Sequence, residues 1–137
     1  MKKADSILVL FLCFMCFPLK AEGKTVEIYT AHDLVKLAKE CHYDAYSKDL
    51  RVELMSDISF RDVKDFSLMV FDGVFDGNGH TISDYIVDGR LSPCGFVGHL
   101  MDNGRIENLH IEGVSVPGGD GNNAGIFAGI NDGVIED

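Results

Sequence analysis

The chain has 137 residues, 46% hydrophobic and 25% charged, with 12 basic against 22 acidic side chains; this suits one soluble globular domain and is too short for two ordinary ones. A formal charge of -10 and a pI near 4.7 exclude a surface that condenses onto nucleic-acid phosphates or anionic headgroups by charge alone. Fifteen glycines, three prolines and no tryptophan predict many turns and little room for long helices.

Residues 1–23 read as a cleavable secretory signal. Lys2 and Lys3 supply a positive start, Ile7 to Phe17 is an almost unbroken apolar run, and Ala21-Glu22-Gly23 offers small residues for the peptidase. The run is only about half of the roughly 20 residues needed to cross a bilayer, so no membrane insertion is expected after cleavage. Cys13 and Cys16 follow bulky pairs, Phe11-Leu12 and Phe14-Met15, where a lipid-anchor site needs small residues. Removing Lys2, Lys3, Lys20, Asp5 and Glu22 leaves 9 basic against 20 acidic side chains, a charge of -11. The product is expected outside the cell, secreted or at its surface. Cys41 and Cys94 remain and could close one loop as a disulfide in an oxidising compartment, or stay buried thiols.

Residues 24–49 predict a short strand and a helix. Val26 and Ile28 alternate with Glu27 and Tyr29. Leu34, Leu37, Ala38 and Cys41 then recur at three- and four-residue steps between Thr30 and His42, the stripe of a helix that covers its own domain's core rather than a partner's. Thr30 is the candidate N-cap, with Asp33 completing a capping box.

Over 50–137 the pattern changes to short alternating runs. Leu50, Val52 and Leu54 share one strand face, and Arg51 and Glu53 the other. Later apolar pieces, among them Phe71, Phe75, Ile82, Phe96-Val97, Ile106, Leu109-Ile111 and Ile126-Phe127, are separated by Gly, Asn and Asp. They also repeat. Gly95-Phe96-Val97-Gly98 recurs in the unit that begins at Gly125, and Asn103-Gly104-Arg105-Ile106-Glu107 recurs, at nearly the same interval, as Asp132-Gly133-Val134-Ile135-Glu136. Asn78-Gly79-His80-Thr81-Ile82 reads as an earlier copy, with Ile82 as the counterpart of Ile106. Such a period predicts a solenoid whose turns bury apolar side chains against one another. The Asn-Gly pairs also fit an antiparallel sandwich of hairpins, a reading that equivalent residues at equivalent places disfavour. Glycine is expected to supply the positive φ at corners, and Asn or Asp to satisfy corner backbone groups.

Thr30-Ala31-His32-Asp33-Leu34 with its helix, the stretch Phe75-Asp76-Gly77-Asn78-Gly79-His80-Thr81-Ile82, Gly95-Phe96-Val97-Gly98 and Gly104-Arg105-Ile106-Glu107-Asn108-Leu109 follow in an order and spacing that resembles the GLUG-repeat proteins of bacterial surfaces. The resemblance implies an all-β, right-handed parallel β-helix closed at one end by the N-terminal helix. That fold occurs in adhesin-like proteins and in the non-catalytic N-terminal regions of IgA-specific metallopeptidases. Phe96-Val97, where Leu-Phe is usual, and Ala128, in a place expected to hold glycine or valine, depart from the pattern. The implied role is contact with a glycan or a host surface protein. With Asp137 directly after the second Gly-x-Ile-Glu unit, the last turn is expected to be uncovered: a truncated or partial solenoid, or an open end that continues or self-associates.

The chemistry-bearing residues point to no catalytic, cofactor or metal site. Asp72, Asp76, Asp84, Asp88, Asp102, Asp120 and Asp132 are numerous enough for calcium, but their spacing completes neither a calcium loop nor a calcium nonapeptide. Stacked carboxylates could cleave a glycosidic bond if a cleft held them roughly 5 to 9.5 Å apart, and loops this short predict no cleft. A groove with converging carboxylates and arginine on successive turns would instead favour a polysaccharide-active enzyme. His110-Ile111-Glu112 lacks the paired cysteines of a zinc deaminase, since Pro93-Cys94 has no second cysteine three on. His80 is expected at a corner, without a metal.

Overall fold

The computed structural model describes residues 23–117 and 123–137. The expected signal thus lies outside the described residues except for Gly23, as does Asp120. The described residues are strand-rich, with two short helices. Its elements in order are β1 (Thr25–Ile28), α1 (Ala31–Glu40), α2 (Asp44–Ser47), β2 (Arg51–Leu54), β3 (Ile58–Ser59), β4 (Leu68–Phe71), β5 (Val74–Asp76), β6 (Thr81–Ser83), β7 (Val97–Leu100), β8 (Arg105–Glu107), β9 (His110–Glu112), β10 (Ala128–Asn131) and β11 (Val134–Glu136).

The strands form three sheets, ordered β1-β2-β5-β8-β11, β10-β7-β4 and β3-β6-β9, and every pairing is parallel. No hairpin joins chain neighbours within these sheets, which removes the antiparallel sandwich. Partners are far apart in sequence: Arg51 pairs with Val74, and Val74 in turn with Arg105. The register places like above like. Val26, Val52, Phe75, Ile106 and Ile135 make one inward column, and Ile58, Ile82 and Ile111 another. Strands this short cannot bury a sheet face alone. The interior is therefore filled jointly by the three sheets, with Val52, Phe71, Phe75, Ile82 and Phe96 fully buried. Phe60, Phe66, Tyr85 and Phe96 pack in tilted and edge-to-face pairs with centroids 4.9 to 6.3 Å apart. The Tyr85 hydroxyl donates to Phe66 O at 3.0 Å, so the ring's polar tip is satisfied.

Helix α1 begins as its sequence predicts. Thr30 has extended φ/ψ of -136° and 161°, its Oγ1 accepts from Asp33 N at 3.2 Å, and Asp33 Oδ2 accepts from the Thr30 and Tyr29 amides at 3.1 Å. Such a cap contributes about 1 kcal/mol. The Tyr29 amide above all, with the Thr30 contacts behind it, holds Asp33 below the usual carboxylate range. Leu34, Leu37 and Cys41 face inward and are buried, so the stripe does cover the domain's own core. Val70 N donates to Cys41 O at 3.4 Å, tying the helix end to β4.

Two details of the repeat differ from the sequence expectation. Ile82 is not the counterpart of Ile106: Ile82 stacks between Ile58 and Ile111, and Ile106 between Phe75 and Ile135. The two Asn-Gly pairs occupy different corners. Asn78-Gly79 follows β5 and stacks on Asn108, with Gly79 N donating to Asn108 O at 2.8 Å, whereas Asn103-Gly104 precedes β8. The second difference is a slip of one position. Cys94 pairs with Ala124, but Val97 pairs with Ala128 and His99 with Ile130, each one place further along than the Cys94 register would put them. Gly98 therefore falls opposite Gly129, and Ala128 lies opposite Val97, in the valine rather than the glycine place of the two expected for it.

The corners are also built differently. Among the described glycines only Gly79 and Gly113 have positive φ, while Asp49, Asp65, Asn78, Asp84 and Asn108 hold left-handed positions with φ from 50° to 60°. Short polar side chains reach this region at modest cost. Asn78 Nδ2 donates back to Leu54 O at 2.9 Å. Gly104 serves close approach instead: a Cβ there would lie 2.7 Å from Phe71 O and 2.6 Å from Leu100 Cδ1.

Candidate functional site

Strand alternation fixes what the five-stranded sheet shows to solvent. With Val52, Phe75 and Ile106 turned inward, the flanking positions face outward, and the parallel register stacks them. One outward column is Glu27, Glu53, Asp76, Glu107 and Glu136, a carboxylate on every strand of the sheet. Neighbouring strands are about 4.8 Å apart, so five like charges in line repel unless countered. The adjacent outward column supplies Arg51 and Arg105.

Arg51 spans three strands. Its Nε donates to Glu53 Oε1 at 3.0 Å, one Nη contacts Asp76 Oδ2 at 2.7 Å and the other lies 3.6 Å from Glu107 Oε1. The Glu53 hydrogen bond and the charges of Asp76 and Glu107 raise the guanidinium's pKa further. Arg105 lies 3.6 Å from Glu107 Oε2 and 2.6 Å from Glu136 Oε1. Asp76 is the innermost carboxylate, 7% exposed. Its second oxygen accepts from Asn78 N at 2.8 Å and Asn108 Nδ2 at 3.3 Å, so both oxygens are engaged. Glu27 Oε2 accepts from the Tyr29 hydroxyl at 2.6 Å. The face carries an excess of three negative charges, five acids against two arginines, yet its central acids are already paired. A carboxylate held by guanidinium is a poor proton donor, and Arg51 and Arg105 hold Glu53, Asp76, Glu107 and Glu136 in this way.

The aspartates singled out in the sequence are dispersed. Asp76 joins this column. Asp72 Oδ1 accepts from Asn103 N at 3.1 Å, Asp84 Oδ2 from the Ser59 hydroxyl at 3.0 Å, and Asp132 Oδ2 pairs with His99 Nε2 at 2.7 Å. Asp88 receives both the Arg90 amide and guanidinium, with contacts of 2.9 to 3.0 Å, which lowers its pKa to about 2. Asp102 is exposed. His80 Nδ1 sits 3.1 Å from Asp57 Oδ1 at a corner, and His110 and Glu112 point outward from edge strand β9. Among the described residues no group of three or more His, Cys, Asp or Glu converges on a common ion position. Cys41 and Cys94 are free, buried thiols; burial, aided by the Glu40 charge, pushes the Cys41 thiol up to about 11.

Two further surfaces flank the sheets, the first at the end expected from the sequence to be uncovered and the second not legible from the repeat. At the open end of the sheets, Val134 and Ile135 are exposed, and Ile106, Leu109, Ile111, Phe127 and Ile135 border a depression of about 530 Å³. The second is a groove of about 560 Å³ between α1, the segment 64–69 and the loop 88–91, floored by Val35, Ala38, Phe66, Met69 and Leu91. Neither overlaps the acidic column, apart from Glu136 at the edge of the first.

No family model matches the chain. No solved structure matches it either. Halomucin of Haloquadratum walsbyi is 39% identical over 88 residues, which is 63% of this chain and 1% of halomucin. The chain thus spans about 1% of the length of the curated relative it matches. No helix of the described residues is long and apolar enough to cross a membrane.

Proposed function

We propose that this chain is an exported, non-catalytic surface module: a right-handed parallel β-helix of the GLUG-repeat kind, closed at one end by α1, that engages a glycan or host surface protein. The observation that carries this reading is the three-sheet parallel register, in which Val52, Phe75, Ile106 and Ile135 stack on one another and Gly79 N donates to Asn108 O. Like-on-like stacking with connections of unequal length is how a solenoid holds a long surface on small rungs. The partial likeness to halomucin supports a place outside the cell, as does the signal-like start. Exposed Ile126, Val134 and Ile135 suit an end at which further rungs or another copy add.

A second reading is kept because of the acidic column. Carboxylates and arginines on successive strands are what a polysaccharide-active enzyme would display, and stacked acids about 4.8 Å apart approach the spacing of a retaining pair. Against it stands the pairing of Glu53, Asp76 and Glu107 by Arg51. Glycan and host-protein arrays probed with the chain, beside a sugar-release assay, separate the two. The module reading expects saturable binding without release. Release of sugar that Asp76→Asn and Glu107→Gln abolish would replace it with the enzyme.

A further inference from the structure

The groove beside α1 has a charge opposite to that of the molecule. On a chain of net charge -10 it gathers Lys39, His42, Lys64 and Arg90 against only Asp65 and Asp88. Both acids are already taken: Arg90 contacts Asp65 Oδ1 at 2.9 Å and Asp88 Oδ2 at 2.9 Å. Lys39 and Lys64 are exposed and have no carboxylate within ion-pair distance among the described residues. Helical geometry aligns Val35 and Lys39 on one flank of α1, since positions four apart share a face, and His42 follows just past the helix end. That flank is distinct from the Leu34 and Leu37 stripe in the core. Val35, Ala38, Met69 and Leu91 are each left half-buried rather than sealed.

We propose that this groove docks an acidic peptide segment of a partner protein, with an apolar side chain of that segment on the Val35, Met69 and Leu91 floor and its flanking carboxylates on Lys39 and Lys64. The volume of about 560 Å³ is within the range of roughly 300 to 1,000 Å³ that accepts such an anchor. The lining favours a peptide over a sugar. Phe66, its aromatic ring, is 4% exposed and offers no stacking plane. Ser67, 8% exposed, already donates to Gly95 O at 2.9 Å, leaving few groups to meet a ring of hydroxyls. The cations need not overcome the whole molecule's charge, because repulsion beyond about 8 Å is screened at physiological ionic strength. The inference stands on the groove alone and does not depend on the surface-module reading.

The test pans the full chain against a random-peptide display library, beside the Lys39→Glu/Lys64→Glu double variant; both lysines are exposed, and circular dichroism checks that the variant is folded. A Lys39→Gln/Lys64→Gln pair replaces it if charge reversal disturbs folding. Peptides with Asp or Glu flanking Leu, Met or Phe should be enriched on the natural chain alone. A synthetic copy of the enriched sequence should bind at least about tenfold more weakly to the variant and more weakly still as salt rises. Lack of enrichment, enrichment of peptides without acids, or equal affinity for both proteins overturns the proposal. So does binding of a uronic-acid oligosaccharide that the double variant abolishes, if no acidic peptide competes with it.

Discussion

Gly104→Ala isolates the close approach of one strand layer to the next. Gly104 is buried, and its new Cβ would lie 2.7 Å from Phe71 O and 2.6 Å from Leu100 Cδ1. Leu100 can turn its terminal methyl aside, but the Phe71 carbonyl cannot move freely because it accepts from Met101 N at 2.9 Å. Gly104 O in turn accepts from Val134 N at 3.0 Å, so a shift would reach the next layer. Overpacking of this kind costs about 1 to 3 kcal/mol, and contact with backbone argues for the upper end. For a domain of this size about 3 kcal/mol is a fall in Tm on the order of 10 °C. Gly79→Ala is the control: its φ is +75° but nothing lies within 4 Å of its Cβ, so only the left-handed conformation is charged, at about 1 kcal/mol. Thermal and urea unfolding of both variants, followed by circular dichroism, gives the comparison. If Gly79→Ala costs more than Gly104→Ala, glycine serves conformational freedom here and the packing account is wrong.

Ile106→Asp should prevent folding, because it places an unpaired carboxylate between Phe75 and Ile135 at a site 1% exposed, whereas Asp102→Ala at an exposed corner should leave the melting curve within about 0.5 kcal/mol of the natural chain; equal melts would refute the assignment of inside and outside. Arg51→Met should destabilise by about 1 to 3 kcal/mol, since it strips the nearly buried Asp76 carboxylate of its cation, and urea titration at neutral pH measures it. Asp33, Asp57 and Asp88 are held below their ordinary pKa, Asp88 at about 2 with Arg90 as the main cause. Their folded pKa values lie below the unfolded ones, so the stability they contribute is complete above about pH 4 and is lost as pH falls toward 2; Asp88→Asn should flatten that part of a stability-versus-pH curve. Alkylation of Cys41 and Cys94 at pH 8, mapped by mass spectrometry, should be negligible until denaturant is added, and rapid modification of Cys41 in the native chain would contradict its burial.

What could be read beforehand was whatever the chain repeats locally. The alternation of Arg51 to Leu54, the capping box from Thr30 to Asp33 and the recurrence of Ile106 as Ile135 are all present in three dimensions. The step from Ile82 misled because Asn-Gly is a signal of a corner without saying which corner. The same letters occur both after β5 and before β8, and only the contact of Gly79 with Asn108 separates the two places. The acidic column was harder still. Glu27, Glu53, Asp76, Glu107 and Glu136 are unevenly spaced along the chain, so no fixed period aligns them until the inward residues have been placed. The sequence shows Asp76 among the candidate calcium ligands, while its guanidinium partner, Arg51, lies on β2, three strands earlier in chain order. The groove beside α1 joins three segments that no repeat connects, and the double duty of the helix, Leu34 and Leu37 inward and Val35 and Lys39 along its flank, is visible only once β4 is in place.

The reach of Arg51 carries a consequence for how such a chain can diverge. Its contacts with Glu53, Asp76 and Glu107 persist although the excursion from β2 to β5 is shorter than the one from β5 to β8. Closing a longer excursion costs only about 0.6 kcal/mol per doubling of its length. Mutation can therefore lengthen, shorten or rewrite the segments between successive strands while the guanidinium clasp keeps the layers aligned, which leaves the periphery free to drift under selection and the framework nearly fixed.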